Sequence, residues 1–171
     1  LLEKNELTAG STWHAAGNVP TFSTSWSIMN MQRYSTELYA RLGEEVDYPM
    51  NYHVTGSVRL AHSAERMQEF KRAASMGRYQ GMDIEILTPE QTKERYPFLE
   101  THDMAGALYD PHDGDIDPAQ LTQALAKGAR DGGVTIERGV RVEEFLLKDR
   151  RVTGVRTNQG DIEVETVLLA A

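Results

Sequence analysis

Cysteine is absent from this chain of 171 residues. Its absence excludes disulfide bonds, thiolate metal sites and cysteine nucleophiles, and it is compatible with any redox compartment. Long apolar runs are also missing, so no stretch approaches the length that spans a bilayer. Basic residues are outnumbered, because 18 Lys and Arg face 26 Asp and Glu, giving a formal net charge of −8. Nucleic acids and anionic membranes require a basic surface, and we therefore expect a small-molecule partner instead.

The most informative stretch is LLEKNELTAGSTWHAAG, Leu1 to Gly17. An apolar pair ends in Glu3, and a run of small and hydroxyl residues follows. In dinucleotide-binding α/β units, the second parallel strand ends in an acidic residue that accepts hydrogen bonds from the adenosine ribose. Small residues in the next loop let backbone N–H groups approach a pyrophosphate. The pattern predicts a strand edge that opens onto a ligand-binding loop from Gly10 to Gly17.

His14 is the chemically versatile residue of this loop. A neutral imidazole nitrogen can act as a ligand, a base or a nucleophile. The plainer interpretation is that His14 only hydrogen-bonds a carbonyl of its own loop, since isolated histidines rarely carry chemistry without partners at a recognisable spacing. Both interpretations are compatible with the sequence.

LLEKNELTAGSTWHAAG resembles the start of the flavin domain of the sarcosine and dimethylglycine dehydrogenases, within the wider class of D-amino-acid-oxidase-like flavoenzymes. The resemblance continues through TGSVRLA (Thr55 to Ala61) and GALYDPHDGDIDP (Gly106 to Pro118), and the final LLAA resembles the strand before a flavin-contacting Gly. It covers essentially the whole chain. Its most specific motifs are WHAAG and PHDG…DP.

The resemblance implies an FAD cofactor at the opening segment. In this family the His of WHAAG is commonly the covalent attachment site, so His14 would bond the 8α-methyl carbon of FAD. The residues expected at the cofactor are Glu3, Gly10, Ser11, Thr12, Trp13, His14 and Gly17. The implied reaction oxidises an N-methyl amino acid, such as sarcosine or dimethylglycine, by hydride transfer to the flavin. Many relatives also carry a downstream folate-binding region, of which nothing is visible here.

A Rossmann-type flavin domain needs a Gly-rich turn after its first strand, and no G-x-G-x-x-G occurs in this sequence. We therefore expect an internal segment of a longer flavoenzyme, one that begins at the second strand and is inactive by itself. The sequence leaves open whether oxygen or an electron-transfer protein accepts the electrons, and it leaves open the oligomeric state.

Periodicity and capping residues predict alternating helices and strands. Helices are predicted at 25–42, 63–80, 88–96 and 117–132, and the first should bury a face that includes Ile28, Met31, Leu38 and Leu42. Strands are predicted at 52–61 with a bend at Gly56, and at 83–87, 106–109 and 134–137. Three further runs, 141–148, 151–157 and 161–165, indicate a β-meander, and Val167 to Ala170 should be a buried parallel strand.

The predicted fold class is mixed α/β, with part of a Rossmann-like FAD-binding domain interleaved with an antiparallel-sheet substrate domain. Residues 1–43 and 115–171 are assigned to the FAD-binding domain. Residues 44–114 are assigned to the substrate-covering domain.

The loop Asp110 to Asp115 follows a predicted strand. Its role has three possible interpretations: a metal site, part of a substrate pocket, or a purely structural turn. Its acidic residues and His112 do not follow the pattern of a calcium loop, so we predict no metal site. If the loop returns the chain to a flavin pocket, Tyr109 is expected to hydrogen-bond a substrate carboxylate and His112 to accept or relay a proton. The simpler alternative is a loop held by Asp side-chain turns. Arg59 has a similar pair of interpretations, as a substrate-carboxylate ligand or as a solvated strand residue.

Two alternative functions remain open. The first is an amino-acid oxidase of the same wider class, and the second is a noncatalytic module derived from such an enzyme. Leu1 begins without a basic region and the chain is polar by Glu3, which does not predict a secretory signal. The expected location is the cytoplasm, or the mitochondrial matrix in a eukaryote.

Overall fold

The computed structural model describes residues 1–170. The helices are α1 (Trp26–Glu45), α2 (Ala64–Tyr79), α3 (Pro89–Arg95) and α4 (Pro118–Asp131), and a short 3₁₀ helix covers Ser11–His14. The strands are β1 (Leu2–Glu3), β2 (Asn18–Val19), β3 (Tyr52–Val54), β4 (Ser57–Ala61), β5 (Glu85–Leu87), β6 (Gly106–Asp110), β7 (Gly114–Ile116), β8 (Glu137–Arg138), β9 (Val142–Lys148), β10 (Arg151–Thr157) and β11 (Gly160–Glu163). Within the described chain, no helix is both long and apolar enough to cross a membrane.

Two compact units are interleaved along the chain. The first unit comprises residues 1–16, residues 44–49 and the chain from Pro118 onward, and the second comprises residues 17–43 and 50–117. The sequence-based division differs from these boundaries, because it grouped residues 17–43 with the first segment. The functional roles given to the two parts remain predictions.

Local capping chemistry explains where two helices begin. Ser63 accepts a hydrogen bond from the Arg66 N–H at the start of α2. Thr88 and Gln91 form a reciprocal capping box at α3, in which each side chain satisfies the other residue's backbone N–H. Both starts agree with the sequence-based prediction.

The second unit contains two antiparallel sheets of three strands each, ordered β2-β7-β3 and β4-β6-β5. A hydrophobic core packs against the second sheet, and it unites side chains of α2 with Phe22, Met29 and Leu108. Met29 is 0% exposed and Leu108 is 1% exposed. Leu108 belongs to β6, so this core fixes the strand that leads into the acidic loop.

The first unit contains a parallel pair and a meander. β1 and β8 pair in parallel, with Leu2 opposite Glu137 and Glu3 opposite Arg138. Strands β9, β10 and β11 form the predicted three-stranded meander. Helix α4 precedes β8 in the chain, in the order that the sequence predicts for a helix followed by a strand.

Two sequence-based predictions are wrong. Val167 to Ala170 does not form a buried parallel strand, because Leu168 is 90% exposed and the residues make no ladder. A buried strand needs a paired neighbour and a layer over each face, and neither is present there among the described residues. The face predicted for α1 is also displaced, since Met31 is 65% exposed whereas Met29 is buried.

Candidate functional site

The loop from Gly10 to Gly17 is compact and open to solvent. Its 3₁₀ helix, Ser11–His14, is closed by a hydrogen bond of 3.2 Å from the Ala15 N–H to the Thr12 carbonyl. A Cβ built on Gly10 would meet no atom within 4 Å, so the backbone there is free for a close approach. The Trp13 side chain is 70% exposed.

His14 contacts a carbonyl of its own loop. Its Nδ1 lies 3.3 Å from the Gly10 carbonyl oxygen, and its ring centroid lies 4.7 Å from that of Trp13. A carbonyl oxygen only accepts hydrogen bonds, so Nδ1 must carry the proton and the lone pair resides on Nε2. The plainer sequence-based interpretation, a loop hydrogen bond, is therefore present. The same contact leaves Nε2 as the unprotonated ring nitrogen.

Glu3 ends β1, as the sequence predicts for an acidic strand-end residue. Its backbone carbonyl accepts a hydrogen bond from the Val140 N–H at 3.0 Å, which fixes the strand end against the first residues after β8. Its side-chain Oε1 accepts from the Asn5 N–H at 2.8 Å. The carboxylate is thus held at the turn that leads toward the loop, and its second oxygen can accept from a ligand hydroxyl.

Gly17, the last residue of the predicted loop, belongs to the second unit. It is buried, and its carbonyl accepts a hydrogen bond of 2.9 Å from the Ile116 N–H of β7. Asn18 and Val19 then form β2 beside β7, with Asn18 opposite Asp115. The end of the loop therefore has a fixed backbone position on the sheet.

The least expected feature is a pair of buried carboxyl groups, one at the end of β6 and one in the loop that follows it. Asp110 is 0% exposed and Asp113 is 4% exposed. The Thr21 hydroxyl lies 2.9 Å from an oxygen of each. Asp113 also accepts from the Thr21 N–H and from the Ser57 hydroxyl, each at 2.6 Å. These contacts attach the segment after β2 to the loop between β6 and β7.

One proton completes this network. The Thr21 hydroxyl has a single hydrogen, so it cannot donate to both carboxyl groups at once. A protonated Asp110 that donates to Thr21, which in turn donates to Asp113, satisfies every group. Burial is the largest cause that raises the pKa of Asp110 above its ordinary value; the His112 N–H opposes this shift, and the negative charge of Asp113 adds to it.

Tyr109 and His112 lie on either side of Asp110 in the chain and have different surroundings. The half-buried Tyr109 packs with the small apolar cluster of Leu87, Met104 and Ala107, and the Arg95 guanidinium lies 4.3 Å from its ring centroid. His112 is exposed, and its N–H donates to Asp110 at 3.0 Å. This last contact is the Asp side-chain turn that the simpler interpretation of the loop predicts.

Arg59 is neither free in solvent nor isolated. One guanidinium nitrogen lies 3.7 Å from Asp113, and the group sits 6.0 Å from the centre of the Phe22 ring. Arg59 is thus the cation nearest to the buried carboxyl pair in these contacts. The Arg59 side chain is 38% exposed, so it is a partly solvated strand residue that also pairs with a buried carboxylate, and a role toward a substrate carboxylate stays a prediction.

A metal-binding cluster or a cavity could also mark a functional site in the described part of the chain. Among residues 1–170, no group of three or more His, Cys, Asp or Glu side chains is placed to hold a metal ion. A cavity of about 1360 Å³ is lined by residues 148–149, 151–153 and 163–167 of the meander region. Its lining includes neither the Gly10–Gly17 loop nor the buried carboxyl pair.

Comparison with known proteins identifies the family. The family described as FAD dependent oxidoreductase (DAO) matches residues 1–171. The chain belongs to this family of FAD-dependent oxidoreductases. It is 39% identical over 171 residues to mitochondrial dimethylglycine dehydrogenase of Rattus norvegicus, which covers 100% of the chain and 20% of the relative. It is 33% identical over 177 residues to mitochondrial sarcosine dehydrogenase of Homo sapiens, covering 100% of the chain and 19% of the relative.

The fold of this flavoenzyme family member agrees with a solved structure. The L-proline dehydrogenase of P. horikoshii superposes with a TM-score of 0.89 at 28% identity, over 95% of this chain and 43% of that one. The predicted mixed α/β class and the resemblance to the sarcosine and dimethylglycine dehydrogenases are therefore confirmed. The chain spans about one fifth of the two dehydrogenases that it matches.

Proposed function

We propose that the protein carrying this chain is a flavin-dependent amine dehydrogenase that oxidises N-methyl amino acids of the sarcosine or dimethylglycine type. The observation that supports it most is the state of His14, whose Nδ1 faces a carbonyl and whose Nε2 therefore holds the lone pair. A histidine poised in this way, within WHAAG of an FAD-dependent family, is suited to bond the 8α-methyl carbon of FAD.

The residues of the opening segment fit an FAD in chemical type. Glu3 offers a carboxylate oxygen for the ribose hydroxyls, and Gly10, Ser11 and Thr12 offer backbone N–H groups without bulky side chains. Trp13 is exposed and offers an aromatic face beside His14. When bound, FAD accepts the two electrons of the substrate C–H bond.

The protein residues must bind the substrate with its nitrogen deprotonated. A protonated amine has no lone pair to stabilise the developing iminium, so a protein group must take its proton while another neutralises the substrate carboxylate. Tyr109 is proposed to hydrogen-bond the carboxylate, and His112 is proposed to relay a proton. Of the two, His112 is the more accessible, because it is exposed whereas Tyr109 is half-buried.

A substrate panel tests the proposal. The full-length holoenzyme is mixed anaerobically with sarcosine, dimethylglycine, D-alanine and L-proline, and bleaching of the flavin absorbance is followed. Faster reduction by the two N-methyl amino acids supports the proposal. Faster reduction by D-alanine or L-proline would assign an amino-acid oxidase of the wider class instead, and no reduction by any of them would favour a noncatalytic module.

The relatives' names extend the proposal beyond these residues. Both dehydrogenases are named as mitochondrial, which favours the matrix if the organism is a eukaryote and the cytoplasm otherwise. A folate-binding region elsewhere in the protein would capture the one-carbon product. Fractionation of cells and a folate-binding measurement on the full-length protein test these two points.

A further inference from the structure

Three polar residues form one row across the sheet β2-β7-β3. Asn18 of β2 is opposite Asp115 of β7, and Asp115 is opposite His53 of β3. Residues opposite one another in antiparallel strands project from the same face of a sheet. The three side chains therefore share a face, and the row begins at the residue that follows Gly17.

The imidazole in this row is oriented by the carboxylate. His53 Nδ1 lies 3.1 Å from Asp115 Oδ1, while the two side chains remain 60% and 50% exposed. A carboxylate that accepts from Nδ1 fixes the tautomer whose lone pair is on Nε2, and it stabilises the cation when Nε2 gains a proton. The arrangement is that of a base held by an orienting acid.

The opposite face of the same sheet provides the packing. Val19 and Ile116 are each 6% exposed. β7 also lies unusually close to β3, because a Cβ on Gly114 would sit 2.2 Å from the His53 carbonyl oxygen. The strand positions are thus set by apolar burial and backbone contact. The polar row lies on the face opposite to these buried side chains.

We propose that His53, oriented by Asp115, is the base that removes the proton from the substrate ammonium group. This inference rests on the proposed function. The N–H bond of the ammonium breaks, its electron pair stays on the substrate nitrogen, and the proton forms a new bond to Nε2. The resulting imidazolium faces Asp115, the charged neighbour on β7, while the neighbour on β2, Asn18, is neutral.

The test compares two histidines that resemble each other. His53→Asn keeps an N–H that can reach Asp115 but removes the basic Nε2. His62→Asn is the matched control, because His62 also pairs with an aspartate, Asp103, at 3.4 Å and is 56% exposed. Asp115→Asn is the second variant, which keeps the imidazole and removes the orienting charge. The rate of anaerobic flavin reduction by sarcosine and dimethylglycine is measured from pH 6 to pH 10 in the full-length holoenzyme.

We expect the rate of flavin reduction to depend on pH and on which histidine is replaced. At neutral pH, His53→Asn should slow reduction by about 100- to 10,000-fold, the usual contribution of a general base. The rate should recover toward that of the unmodified enzyme at high pH, where the substrate amine is already neutral. Asp115→Asn should slow reduction less, and His62→Asn should leave the pH profile unchanged.

Three outcomes would overturn the inference. A His53→Asn enzyme with the unmodified pH profile would contradict it while leaving the proposed function intact. Equal slowing at all pH values, or equal effects of His53→Asn and His62→Asn, would show a structural role only. If the unmodified enzyme is reduced by neither N-methyl substrate, the proposed function fails, and the role of His53 fails with it.

Discussion

Asp110 and Asp113 form the buried carboxyl pair, and we predict that replacing each with Asn lowers the stability of the protein by a different amount. Asp113→Asn replaces an acceptor that receives the Thr21 N–H, the Thr21 hydroxyl and the Ser57 hydroxyl. Asp110→Asn replaces a group whose pKa is raised chiefly by burial, and which the single hydroxyl hydrogen of Thr21 requires to act as a donor if Thr21 donates to Asp113. Its amide can donate to Thr21 and accept from His112 in the same positions.

The magnitudes follow from the contacts. In Asp113→Asn, an amide N–H₂ faces donors, so at least one charged hydrogen bond worth about 1.5–3 kcal/mol is lost. Leaving buried partners unmatched brings the expected cost to about 3–5 kcal/mol. Asp110→Asn preserves the pattern, and its cost should stay below about 1 kcal/mol. The exposed Asp103→Asn is the control and should lie within about 0.5 kcal/mol of zero.

The pH dependence has a definite sign. Burial above all raises the pKa of Asp110 in the folded protein above its unfolded value, which is about 3.9. The contribution of Asp110 to stability is therefore complete below the unfolded pKa and is lost as the pH rises through the folded pKa. The unmodified protein should lose local stability with rising pH over that window, and Asp110→Asn should not.

Hydrogen exchange at the Thr21 amide measures both effects locally in the holoenzyme. A cost of about 3 kcal/mol corresponds to exchange more than about 100-fold faster, since each 1.4 kcal/mol is tenfold. Rates are taken as ratios to the unmodified protein at each pH, because exchange itself accelerates with pH. Equal effects of Asp110→Asn and Asp113→Asn, or unchanged protection in Asp113→Asn, would refute the shared-proton network.

Two further predictions concern stability, each measured by thermal unfolding of the holoenzyme. Gly56→Ala should destabilise the protein more than Gly81→Ala. Both glycines have a positive φ, of 71° and 76°. A Cβ at Gly56 would lie 2.6 Å from the Tyr109 hydroxyl, whereas a Cβ at Gly81 would have no atom within 4 Å. Gly81→Ala is expected to lower the free energy of unfolding by about 1 kcal/mol through backbone strain. If both variants lower it equally, the contact with Tyr109 does not matter for stability. Thr88→Ala should cost about 1 kcal/mol by removing the cap of α3, and a loss within error would show that the capping box contributes little.

Features with a local cause could be predicted from the sequence. The Thr88–Gln91 capping box, the Ser63 cap and the turn between β10 and β11 each depend on residues a few positions apart. The Asp110 side-chain turn onto the His112 N–H is local in the same way. Because their partners are adjacent in sequence, the residue types alone indicate the structure.

Features that depend on distant partners could not be predicted. Thr21 reaches Asp110 and Asp113 across about ninety residues of chain, with separations of 89 and 92. No periodicity or motif connects a threonine after β2 with a loop after β6. The helical period of α1 predicted a buried Met31, but the core residues that cover Met29 are distant in sequence and only Met29 packs against them.

The flavin-binding role of the opening loop is tested most directly by acid precipitation of the full-length holoenzyme. If His14 bonds FAD, the washed pellet of the unmodified protein should retain its yellow flavin. The His14→Ala pellet should lose it, while the His62→Ala pellet should keep it as the control. Flavin that washes out of the unmodified pellet would contradict covalent attachment at His14.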